Sequence, residues 1–239
     1  MRLGRHNFQE DRLLIMAVIN RTPDSFYDKG RYYSLADALR AVDVAVASGA
    51  DIVDIGGVKA APGPEVPVNQ EIERVVPLIT GIHRLHPKVV ISVDTWRSEV
   101  AAVSAEAGAH LINDAWGGYD PNLAKVAARY GCGLVCTHAG TLTPRTEARG
   151  LNYADVVLDV KLRLSELADR AVRLGVTGES LGLPVMERLE GTLAVISLCA
   201  WMGARVFRVH NIKEARRAID MVSVVMGKKQ PLIAQRATS

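Results

Sequence analysis

MAVINRTPDSFYDKGRYY, residues 16–33, changes character at Asn20. Ile15, Met16, Ala17, Val18 and Ile19 form an apolar run without alternation, as a strand buried on both faces does. From Asn20 to Gly30 every position is polar, charged, aromatic, Pro or Gly. A strand that empties into so long a polar loop is informative if other strands do the same at the same end.

Working outward, short apolar runs alternate with amphipathic stretches of helical length, the pattern of βα units around a parallel sheet. RLLIMAVI is the first strand and LADALRAVDVAVASG the first helix, capped by Ser34 and ended by Gly49. DIVDI, KVVISVD, HLIND and GLVCTH are the next four strands, and RVFRVH is the last. Helices over VNQEIERVVPLITGIHRL, RSEVAAVSAEAG and NLAKVAARYG lie between the earlier strands, with Pro77 a candidate kink. Tyr153 to Leu174 forms a long helix, MERLEGTLAVISLCAWMG another, and IKEARRAIDMVSVVMG closes the chain.

Helix-to-strand connections are short, as in SGADIVDI and EAGAHLIND, whereas strand ends carry polar groups or glycine. Asn20, Gly56, Gly57, Asp94, Asn113, Asp114, His138, Arg208 and His210 all sit there. In a (β/α) barrel the loops after the strands build the active site and the loops after the helices are tight. The polar half of the opening stretch is therefore an active-site loop, and the fold class is α/β, a TIM-type (β/α)8 barrel. A doubly wound open sheet is the alternative; it calls for a Gly-rich first turn opening a helix, and the sequence has none there.

Six strands leave an eight-stranded barrel one pair short. From Thr177 the chain reads TGESLGLPV, too short for a further unit of about 30 residues. The region of strands six and seven is absent: either two units are deleted, or residues between about Val176 and Leu181 are missing, in which case the Cα spacing there exceeds ~3.8 Å.

The chain has 239 residues, 49% of them hydrophobic, enough to bury one large core. A net charge of +3 with scattered Lys and Arg gives no support to nucleic-acid or membrane-surface binding, and leaves room for an anionic small substrate. Three cysteines make an odd number, which argues against a disulfide framework; Cys132 and Cys136 read as structural, without a second ligand pair for a metal. No apolar run approaches the ~20 residues of a bilayer span, and MRLGRHNFQEDR lacks the apolar core of a signal peptide. A cytoplasmic protein is expected.

Four ordered blocks resemble the dihydropteroate synthases. MAVINRTPDSFYDKG is similar to their first signature, N-x-T-P-D-S-F-x-D-x-G, and GADIVDIGGVKAAPG to their second. ISVDTWRSEVAAVSAEAGAHLINDAWGG resembles their strand-three and strand-four block, and ERLEGTLAVISLCAWMGARVFRVHNIKEARRAIDMV their C-terminal block. The resemblance implies a single pterin-binding barrel domain over residues 1–239. It also implies a reaction in folate biosynthesis, 6-hydroxymethyl-7,8-dihydropterin diphosphate joining p-aminobenzoate with release of pyrophosphate. A homodimer and Mg²⁺ dependence come with it.

By the same resemblance Asp94 and Asn113 match the pterin-reading pair, and Arg208 with His210 the pyrophosphate side. Asn20 matches a ligand of Mg²⁺ or pyrophosphate, and Thr22, Asp24 and Lys59 are loop candidates. The residue types suit the chemistry: a carboxylate and an amide take a donor-and-acceptor edge, and cations hold a leaving diphosphate. Blander readings stand beside these. Asp94 could pair with Arg97, His210 could be a satisfied core histidine, and Asn20 could serve the turn before Pro23.

Two departures bear on activity. The second loop of the family reads G-G-x-S-T-R-P-G, and here it runs Gly56, Gly57, Val58, Lys59, Ala60, Ala61, Pro62, Gly63, so the Thr and Arg are both alanine. Lys59 restores a charge but not a bidentate fork. The D-P-G-type motif of strand six and the S-x-K-type motif of strand seven fall in the absent stretch, and GESLG resembles the family's segment directly after strand seven. The long loop AGTLTPRTEARGLNY, with NDAWGG and VKAAPG, resembles a divergent second paralogue. Three readings result: a synthase homologue with weakened or lost activity, a working synthase, and a non-catalytic ligand-binding or interaction barrel.

Overall fold

Six parallel strands lie side by side in the order β7-β6-β5-β4-β3-β8. They are β3 (Leu14–Asn20), β4 (Ile52–Gly56), β5 (Val90–Asp94), β6 (Leu111–Asp114), β7 (Gly133–Cys136) and β8 (Val206–Val209). The computed structural model describes residues 2–9, 12–22, 34–137, 139, 143–146, 156–173, 196–197, 199–201 and 203–229. The junction expected near Val176 to Leu181, Asp24 and His138 lie outside these residues.

The last strand pairs with the first: Leu14 with Val206 and Met16 with Arg208. Consecutive strands otherwise neighbour each other, so the sheet follows the circular order of a (β/α)8 barrel, curled and without its sixth and seventh strands among the described residues. Helices α1 (Leu35–Ala47), α2 (Val68–Leu85), α3 (Ser98–Glu106), α4 (Leu123–Tyr130), α5 (Val156–Arg173) and α6 (Ile212–Val225) complete the units.

Sequence signals set the helix ends. Ser34 caps α1 by accepting from the Asp37 amide at 3.1 Å. After α4, Gly131 takes the left-handed conformation that lets the chain turn back into β7. Pro77 lies on the outward face of α2, where the hydrogen bond it removes faces water, and the helix runs unbroken through it. The inward face of α2 is spaced for a helix: Glu71, Arg74, Val75, Leu78, Ile79 and Ile82 are all buried.

Strand side chains alternate between two layers. Val53, Ile55, Ile91, Val93, Ile112 and Leu134 pack outward against the helices. Leu14, Met16, Ile52, Val90, Leu111 and Val135 point the other way and fill the lower interior. Above that apolar floor the inward positions turn polar.

A feature outside the expected pattern closes the floor. The charged N-terminus forms a small antiparallel hairpin, β1 (Arg2–Leu3) and β2 (His6–Asn7), and Leu3 joins the interior cluster fully buried. Gly4 turns it with φ +53°, and a Cβ there would meet the Cβ of His110 at 2.9 Å. Two-residue strands carry no periodicity, so charge was the stretch's one legible property. The first strand of the barrel also begins at Leu14 rather than Arg12.

Candidate functional site

One register row across the sheet reads Asn20, Gly56, Asp94, Asn113. Three of the sequence candidates therefore share a level and a face at the carboxyl ends of β3, β5 and β6. Two residues back along β4, on the same face, Asp54 stands opposite Ser92. Arg208 starts lower still, beside Met16, and its length carries the guanidinium upward.

Asp54 is the hub. It is fully buried and accepts from Ser92 Oγ at 2.6 Å, Asn113 Nδ2 at 3.0 Å and Arg208 Nε at 2.8 Å. A buried carboxylate is tolerated only with such partners, since desolvating it unpaired costs several kcal/mol. Arg208 also reaches Asp94, Nη2 to Oδ2, at 3.5 Å. Sequence reading takes DIVDI as one more core strand and gives Asp54 no role of its own. The available signal was alternation: if Ile52 faces inward so does Asp54, and an inward acid needs a partner.

The electrostatics follow from this crowding. Burial pushes the Asp94 carboxyl up to about 7, with the neighbouring Asp54 charge adding to the effect and Arg208 opposing it. Burial lowers the Arg208 pKa, and the two carboxylates more than reverse it, leaving the guanidinium above its ordinary value. Asp94 is therefore poised to change charge near neutrality.

Arg97 does not pair with Asp94. It pairs with buried Glu71 at 2.7 Å and approaches Glu65 at 3.7 Å, stacked 4.6 Å over the Trp96 ring. This fastens the loop after β5 to α2 and leaves Asp94 to Arg208. Glu71 is raised above the usual carboxylate range, chiefly by burial.

The remaining candidates take separate places. Asn20 ends β3, and a Cβ on Gly56 would stand 2.6 Å from its Oδ1, so glycine there makes room for the amide. Thr22 is buried, with an Oγ that finds no hydrogen-bond partner among the described residues. Lys59 lies in the turn after β4 and accepts through its carbonyl from Ala61 N at 2.8 Å. Among the described residues, none of these three side chains bonds to the Asp54 cluster. His210 follows the end of β8 rather than lying within it, half-buried. Cys132 and Cys136 are free thiols, both pushed up to about 11 by burial, and the Cys132 thiol donates to the Ala109 carbonyl at 3.4 Å. No group of three or more His, Cys, Asp or Glu among the described residues could hold a metal ion.

An apolar-floored barrel whose interior turns polar at the carboxyl ends of its strands defines a small-molecule site of the (β/α)8 class. Residues 16–183 match the pterin binding enzymes. The chain is 43% identical to the inactive dihydropteroate synthase 2 of Mycobacterium tuberculosis over 271 aligned positions, covering 92% of this chain and 85% of that one. It is 33% identical to the dihydropteroate synthase of Bacillus subtilis, over 92% of this chain and 90% of that one. The Yersinia pestis dihydropteroate synthase, solved as a sulfonamide drug complex, superposes with a TM-score of 0.85 at 25% identity, covering 95% of this chain and 99% of that one. A Mycobacterium tuberculosis structure does so with a TM-score of 0.71 at 37% identity, covering 93% and 94%. The chain belongs to the dihydropteroate synthase family of pterin-binding enzymes. The 271 aligned positions draw on 92% of the 239 residues here, about 220, and so leave about 50 without a counterpart in this chain, in keeping with the two strands missing among the described residues.

Proposed function

We propose that residues 1–239 form a single barrel domain that binds a pterin-type ligand at the strand carboxyl ends, with synthase turnover weakened or lost. The observation that carries this reading is the Asp54–Asn113–Arg208–Asp94 cluster. It offers carboxylate acceptors, an amide and a guanidinium on one inner wall, which suits the mixed donor-and-acceptor edge of a pterin. Arg208 and His210 would face an anionic substituent.

The case for lost turnover rests on the surroundings of that wall. Ala60 and Ala61 stand where the family has Thr and Arg. Arg208 already spends Nε and Nη2 on two carboxylates. Any Mg²⁺ would depend on ligand oxygens: Asn20 can supply one neutral oxygen, and Mg²⁺ characteristically takes substrate phosphates and water for the rest. The metal would help hold a departing diphosphate. A homodimer and a cytoplasmic location belong to the same reading; no helix among the described residues is long and apolar enough to cross a membrane.

Titration calorimetry with 6-hydroxymethyl-7,8-dihydropterin diphosphate, paired with a pyrophosphate-release assay in the presence of p-aminobenzoate, tests the proposal. Binding with little or no release is expected. Turnover at the rate of a working synthase would favour the conventional enzyme, and no binding of any pterin would favour an interaction role.

A further inference from the structure

The loops after β4 and β7 belong to strands separated by β5 and β6, yet one side chain joins them. Arg145 donates from Nη1 to the Lys59 carbonyl at 2.5 Å and from Nη2 to the Pro64 carbonyl at 3.0 Å. Its own carbonyl accepts from the Gly63 amide at 3.3 Å. A Cβ at Gly63 would stand 2.5 Å from Arg145 Nη2, so the turn closes around the guanidinium because that residue is glycine. Arg145 is also the one non-glycine with positive φ among the described residues, at 69°. A residue is held in that sparsely populated region only where its surroundings over-determine it, and such residues gather at functional sites.

The chemistry of the contact is specific. A planar guanidinium can grip two carbonyls at a fixed spacing, which a lysine ammonium cannot do with one geometry. The turn gripped in this way, Lys59 to Pro64, carries Ala60 and Ala61. Arg145 therefore comes from a different loop to the segment that has lost its own arginine, and its donors go to backbone carbonyls rather than to a ligand.

We propose that Arg145 is a positioning residue for the barrel mouth: it ties the loop after β7 to the loop after β4 and holds the 59–64 turn in one preset shape. An anionic ligand group then meets a turn already ordered, instead of one that folds over it. The ligand part of this inference rests on the pterin-binding reading above; the tie between the loops does not.

Amide hydrogen exchange without ligand tests the tie. In Arg145→Ala the amides of Ala61 and Gly63 should exchange about tenfold faster or more, because their protection depends on a closed turn. Arg145→Lys should recover part of that protection. Gly63→Ala, which displaces Nη2, should mimic Arg145→Ala and serves if that variant folds poorly. Unchanged exchange at Ala61 and Gly63, or full protection in Arg145→Lys, overturns the proposal. Titration then tests the consequence: Arg145→Ala should bind 6-hydroxymethyl-7,8-dihydropterin diphosphate several-fold more weakly, with the pterin lacking its diphosphate unaffected. Equal affinity of wild type and Arg145→Ala for the diphosphate overturns the positioning role. Failure of wild type to bind either pterin removes the pterin reading instead, and the exchange rates alone then decide the tie.

Discussion

Asp54 shows how much one inward side chain can organise. Replacing it with alanine strips Arg208 of its nearest counter-charge and Ser92 and Asn113 of their acceptor. Removing one partner of a buried ion pair typically costs about 3 to 5 kcal/mol, so Asp54→Ala should lower the urea midpoint sharply, and Asp54→Asn should lower it less. Asp94 titrates in the opposite sense to an ordinary paired carboxylate. With its folded pKa raised to about 7, the native state keeps a proton that the unfolded chain releases near 4. Its contribution to stability is thus greatest at low pH and is lost as pH rises through 7, whereas a ligand that donates to its carboxylate should bind more tightly over the same rise. Asp94→Asn should abolish both trends, as denaturation and binding measured from pH 5 to 9 would reveal. At Ala60 and Ala61 the expected change is a gain. Ala60→Thr with Ala61→Arg should tighten the pterin diphosphate more than the bare pterin, by roughly 1.5 to 3 kcal/mol for one charge-assisted bond. Equal gains for both ligands in calorimetry would place the deficit elsewhere. Asp94, Asn113 and Arg208 were legible because they stand in ordered motifs; Asp54 and Arg145 were not, since one hides inside an apolar run and the other acts through loop geometry that spacing does not encode.

Elements differ in how far the sequence defines them. The second helix is found over the same residues as its apolar spacing indicates, Val68–Leu85, because one stripe of six buried positions fixes both register and length. The N-terminal hairpin is defined instead by its contacts. It brings His6 against His110 with ring centroids 4.6 Å apart, and His83 lies 6.2 Å from His110. His110 is buried and its Nδ1 accepts from the Ile91 amide at 3.1 Å. Burial, then His6, Arg5 and His83, hold its pKa down to about 3. Below its ordinary 6.5 the unfolded chain binds a proton that the folded chain refuses, so stability should fall from about pH 6.5 toward 3, by a total on the order of 5 kcal/mol. His110→Asn keeps an acceptor for Ile91 and should flatten that acid limb in urea titrations. Between pH 4 and 6.5 the histidine and Asp94 pull stability in opposite directions, so the two variants should separate slopes that partly cancel in the wild type.

At the scale of the whole molecule, the barrel was legible from an asymmetry rather than from any one strand: polar groups gather at strand ends and tight turns follow the helices. That pattern carries architecture because only one face of a (β/α)8 barrel presents the long loops. The shortfall of two strands among the described residues was legible from the strand count and from the shortness of the stretch TGESLGLPV. The pairing of Leu14 with Val206 has a consequence in time as well as in space. A ribosome releases β3 long before β8, so in the interval the β8-facing edge of the first strand has no partner for its hydrogen bonds. The segment from β3 to β7 can condense by neighbouring contacts as it emerges, while the seam between β3 and β8 must wait for β8 itself. A chain stopped at residue 205 should therefore retain helical signal yet lose cooperative unfolding and turn aggregation-prone, with an exposed edge as its template. Full cooperativity and solubility in that truncated chain would show that the seam is dispensable. Otherwise the fold is committed only once β8 has been made, and quality control of the nascent chain has to guard the open edge of the first strand until then.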